Sequence, residues 1–61
     1  MNLNAYLTKN KLSSREFAKA VGVTVFAVRK WRQGKTVPRT YHIAKIQKLT
    51  KNKVSVADWY E

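Results

Sequence analysis

The side chains best suited to chemistry in this chain are its cations. Thirteen Lys and Arg stand against three acids, a formal net charge of +10, with a sequence pI near 10.5. Such a chain repels itself, and an anionic partner that releases condensed counterions relieves the repulsion, so nucleic acid is the first candidate. Antimicrobial peptides, ribosomal proteins and polybasic membrane binders share the charge, so its organisation must decide. Arg29 and Lys30 each suit either guanine O6 and N7 or a phosphate. Lys9, Lys11, Lys45, Lys48, Lys51 and Lys53 read as solvated faces. Catalysis would need grouped functional side chains. The chain offers one histidine, His42, the separated acids Glu16, Asp58 and Glu61, and no cysteine. That set makes no acid–base pair, no metal site and no cofactor cradle, and no glycine-rich phosphate loop is present, so an enzyme is not expected.

The elements that must position these cations follow from the punctuation. Gly22, Gly34 and Pro38 are the only glycines and proline among 61 residues, and nothing alternates with strand period. Asn2 or Asn4 caps a first helix to about Asn10, with Leu3 and Leu7 on one face and Leu12 closing behind. Ser13-Ser14-Arg15-Glu16 is a capping box that starts a second helix, in which Phe17, Ala18 and Val21 face inward and Gly22 ends the run. After the turn Gly22-Val23-Thr24, Thr24 caps a third helix with Val28 and Trp31 inside, and Gly34 terminates it. Val25, Phe26, Ala27, Arg29 and Lys30 are left facing out. Pro38 is placed to open a fourth helix at its first turn, with Tyr41, Ile43, Ala44, Ile46 and Leu49 as its apolar positions. Lys51-Asn52-Lys53 is the loop beyond, and Ser55-Val56-Ala57-Asp58 repeats the capping-box spacing, carrying Val56, Trp59 and Tyr60 back onto the bundle. The expectation is one all-α domain over residues 1–61, a compact bundle of four to five short helices.

From Ser14 the spacing Phe17, Ala18, Val21, Gly22, Val23, Val28, Trp31 puts a small residue where two helices approach and a glycine at the turn. This pattern resembles the helix-turn-helix of phage Cro proteins and repressors, here over about residues 14–33, and Gln33-Gly34-Lys35-Thr36-Val37-Pro38-Arg39 looks like the loop after their recognition helix. The likeness runs from Leu12 to about Arg39, and more loosely through Val54–Trp59. It implies a lambda-repressor-like fold whose third helix enters the DNA major groove by its first turn, where Val25 and Phe26 could meet thymine methyl groups and Arg29 and Lys30 base edges. Packing under the second helix, or against a partner protein, is the other use of Phe26. Ser14, with Arg15 beside it at the amino end of the second helix, suits one phosphate. Thr24, Gln33, Lys35, Thr36 and Arg39 complete the set expected on the sugar-phosphate backbone. Many members of the family carry Gln or Ser where this chain has Ser14, Val25 and Phe26, so their base-reading rules do not transfer.

The resemblance implies a sequence-specific, double-stranded DNA-binding regulator of the small Cro type, with the same fold in a recombination accessory factor, an antitoxin or an RNA-binding module as the alternative. A membrane-active bundle is disfavoured because the cations are spread over several helices. One recognition helix reads few bases, so a homodimer on a pseudo-palindromic operator is expected, at least on DNA, with Val56, Trp59 and Tyr60 as the candidate contact and packing of Trp59 within its own domain as the competing explanation. Without a secretory signal, a membrane span or a cysteine, a cytoplasmic location in a bacterium or a phage-infected host is expected.

Overall fold

A computed structural model of the protein describes residues 1–60. Four α-helices follow one another, α1 (Leu3–Lys9), α2 (Ser14–Val21), α3 (Val25–Gln33) and α4 (Thr40–Leu49), and a single 3-10 turn, Val56–Trp59, closes the chain. Among the described residues there is no strand.

The first three helices each begin where a side chain takes over an orphan backbone donor. Asn2 is the cap of α1, accepting from the Ala5 amide at 2.8 Å. Ser13 Oγ accepts from Glu16 N at 3.0 Å while the Glu16 carboxylate accepts from Ser13 N at 3.2 Å, the reciprocal box that starts α2. Thr24 accepts from Ala27 N at 3.2 Å and starts α3. Gly22 closes α2 at φ +88°, donating to the Ala18 carbonyl, and Gly34 closes α3 at φ +75°. Both conformations would cost an L-side chain roughly 1–2 kcal/mol.

The core is gathered around the α2–α3 corner. Leu3 and Leu7 of α1, Phe17, Ala18 and Val21 of α2, Val28 and Trp31 of α3, Ile46 of α4 and Val54 form one buried cluster, against which Leu12, Val23, Val25, Ala27 and Trp59 pack in part. Burying a Leu, Val or Phe side chain contributes roughly 1.5–3 kcal/mol each, so this cluster is what holds α3 at a set angle to the rest.

Four features differ from the sequence expectation. Pro38 is buried two residues before α4, and Arg39 rather than Pro38 occupies the cap position, without a side-chain capping bond. Tyr41, Ala44 and Leu49 are exposed; Ile43 and Ile46 alone of the expected apolar positions face inward, because α4 touches the core along a stripe narrower than its apolar content. Val25 and Ala27 are half-buried against the core rather than free. Thr50 and Val54, to which the sequence pattern gives no core role, are buried. Thr50 Oγ1 donates to the Ile46 carbonyl at 2.8 Å and accepts from Val54 N at 3.2 Å, so one hydroxyl both ends α4 and turns the chain inward.

Candidate nucleic-acid interface

The outward face of α3 follows from what its inward face must do. Val28 and Trp31 are committed to the core, and helical geometry then turns Phe26, Arg29 and Lys30 to solvent. Phe26 is 68% exposed, more than its apolar ring would choose if packing were its only role. The Arg29 guanidinium carbon lies 6.0 Å from the centre of the Phe26 ring, at the reach of a cation–π contact, three residues on and on the same face. Val25 lies at the rim of this face, half inside the fold.

The residues expected on the backbone divide into two groups. Arg15, Thr24, Gln33, Lys35, Thr36 and Arg39 are exposed. Ser14 is half-buried, and its hydroxyl oxygen accepts from Arg32 Nη1 at 3.0 Å. The same guanidinium donates through Nε to Asn4 Oδ1 at 2.9 Å. Arg32 therefore joins α1, α2 and α3 from one side chain, a role the sequence reading missed. Its position offered a signal: Val25, Arg29 and Arg32 recur at i, i+4 and i+7 on one helical face. Asn4 offered none, being 28 residues away along the chain. Asn4, Ser14, Arg29, Arg32 and Gln33 line one open cleft of about 430 Å³.

Beside the same end of α3, on the side of Trp31, the C-terminal turn folds back. Trp59 meets Trp31 edge to face, ring centres 6.3 Å apart, and is half-buried, so its ring packs within its own domain. Val56 and Tyr60 stay exposed, at 49% and 66%. Trp59 Nε1 is buried and has no hydrogen-bond partner among the described residues. It stands beside a second hollow, of about 280 Å³, lined by residues that include Leu3, Trp31, Val37 and Asp58. Asp58 accepts from Ser55 N at 2.8 Å and from Ser55 Oγ at 3.1 Å, and its other oxygen takes the Met1 ammonium at 2.9 Å. The Ser55 backbone amide first, then the Met1 ammonium, hold the Asp58 carboxyl below the usual carboxylate range.

Among the described residues no group of three or more His, Cys, Asp or Glu gathers as a metal site, and no helix is long and apolar enough to cross a membrane. The arrangement can offer donors and an apolar ring to an anionic, grooved surface. Comparison with protein-family models, curated proteins and solved structures gives no significant match.

Proposed function

We propose that this chain is a sequence-specific, double-stranded DNA-binding protein, a transcription regulator of the Cro type, that reads the major groove with α3. The observation that carries the reading is the division of labour on that helix. Val28 and Trp31 lock it to α2, while Phe26, Arg29 and Lys30 stand free on the other side of a chain of net charge +10. A groove about 12 Å wide admits one α-helix, and base edges are recognised by the donors and apolar groups this face carries. Lys35, Thr36 and Arg39 follow α3 and are exposed, which suits phosphates on the far wall of the groove.

A single α3 reaches few base pairs, so two copies related by a two-fold axis would read half-sites about 34 Å apart in a pseudo-palindromic operator. Val56 and Tyr60 are the exposed large apolar residues at the C-terminal end available for contact between copies, while Trp59 packs on Trp31 within its own domain.

Binding measured at several salt concentrations to a duplex, to a matched single strand and to anionic vesicles tests the reading. Preference for the duplex, with log K falling linearly against log salt, is expected. Selection from a random duplex library should return two related half-sites. Equal affinity for the single strand, or a library that converges on no sequence, would replace it with a non-specific nucleic-acid binder of the same fold.

A further inference from the structure

Arg32 is the cationic side chain held by the most hydrogen bonds among the described residues, and beyond joining three helices its charge serves none of the roles above. Asn4 Oδ1 and Ser14 Oγ fix two of its N–H groups at 2.9 and 3.0 Å, which leaves three of the five that a guanidinium carries. Both anchors are neutral. Among the described residues the one ion pair is that between Met1 and Asp58, and the Glu16 carboxylate serves the Ser13 amide. The guanidinium keeps its whole charge.

The anchors are themselves turned into donors. An amide whose oxygen is engaged still has its NH2 to donate, and a hydroxyl that accepts from a cation has its own proton to give. Asn4, Ser14, Arg29, Arg32 and Gln33 line the open 430 Å³ cleft, and no acid stands among them. Asn4, Arg32 and Gln33 also line the neighbouring 280 Å³ hollow, whose one acid, Asp58, is engaged by Ser55 and the Met1 ammonium. A monoanionic oxygen pair of tetrahedral geometry matches such a ring of donors, and a guanidinium fork is the side chain that engages it in two parallel bonds.

We propose that Arg32, held by Asn4 and Ser14, is the preset cation of a phosphodiester clasp at the α1–α2–α3 junction. The inference rests on the duplex reading above and specifies one backbone phosphate per half-site. Because Arg32 is tethered before DNA arrives, less side-chain freedom is lost on contact than for a loose lysine such as Lys35. The clasp sets where α3 stands along the groove and carries no sequence preference of its own.

The test uses the full chain and a duplex recovered by selection, with each phosphate in turn replaced by a neutral methylphosphonate. One replacement per half-site is expected to weaken the wild-type protein about tenfold or more, the strength of a charge-assisted hydrogen bond. Arg32→Ala should lose most of that sensitivity at the same phosphate and keep it at all others, and Arg32→Lys should restore only part. Asn4→Ala, on the exposed side of α1, gives the same reading with the core untouched should Arg32→Ala fail to fold. If folded Arg32→Ala or Asn4→Ala protein responds to every methylphosphonate as the wild type does, Arg32 is a structural latch and the clasp alone is overturned. Absence of duplex binding by the wild type overturns the DNA reading and the clasp together.

Discussion

Thr50 shows how much a single hydroxyl can do in a small fold. It is buried, donates to Ile46 and accepts from the buried amide of Val54. Thr50→Val keeps shape and volume but strands that amide, which costs about 1–3 kcal/mol. For 61 residues the total stability is of order 3–9 kcal/mol, so urea unfolding should show a clear drop in midpoint, with Thr50→Ser much closer to wild type. Asp58 supplies a second test at this scale. Its folded carboxyl lies below the ordinary range, so the unfolded chain binds a proton first as pH falls. The carboxylate therefore contributes stability above its ordinary value near 3.9, and that contribution fades on acidification through the lower, folded value. Thermal melts between pH 2 and 6 should show Asp58→Asn destabilised at pH 6 and converging on wild type toward pH 2; a constant gap would exclude the linkage.

At the scale of the element, α2, α3 and the turn between them were legible because local rules agree there: a capping box, a small residue at the crossing, a glycine at positive φ and a second cap. Gly22 is the hinge of that agreement. A Cβ built there meets nothing nearer than the end of the Lys45 side chain at 3.9 Å, so Gly22→Ala would carry a backbone cost alone, about 1–2 kcal/mol. A loss well above that, measured by chemical denaturation, would mean that Gly22 also governs the α2–α3 angle. What the sequence hid were features set by the chain returning on itself. Tyr41, Ala44 and Leu49 carry the apolar signal of α4 yet face out, while Thr50 and Val54, with no periodicity to announce them, lie inside. The bond from Arg32 to Asn4 spans 28 positions, and no local pattern encodes such a meeting. Val25 departs from its expected exposure for a related reason: the core that α1 and α2 share draws this first-turn residue of α3 half inside.

For the whole molecule, charge and size bear most on function. The chain extends 23 × 21 × 19 Å between Cα positions, less than the roughly 34 Å between half-sites one DNA turn apart. On the proposed duplex reading one copy therefore cannot bridge two half-sites, and two copies would have only the flanks facing the dyad for mutual contact. With acids so few, affinity should be dominated by phosphate neutralisation. Lys35→Ala is expected to weaken specific and random duplexes alike and to lower the slope of log K against log salt by about one. Phe26→Ala should leave that slope unchanged and lose affinity only on duplexes that carry a thymine at the contacted position, a difference that uracil in place of thymine removes. Equal losses on every sequence would show that α3 does not read bases.

The bond between the Met1 ammonium and Asp58 has a topological meaning as well as an electrostatic one. It brings the first residue beside the C-terminal turn, so the described residues nearly close into a ring. A circular permutant, joined by a short glycine-rich linker from the last residue to Met1 and reopened in the exposed Lys51-Asn52-Lys53 loop, should fold to the same helical content by circular dichroism. It should also lack the part of the acid sensitivity that the Met1 charge supplies. Met1 would carry no free ammonium and the outward face of α3 would be untouched, so duplex affinity unchanged by the rearrangement would separate what the fold needs from what the proposed DNA binding needs.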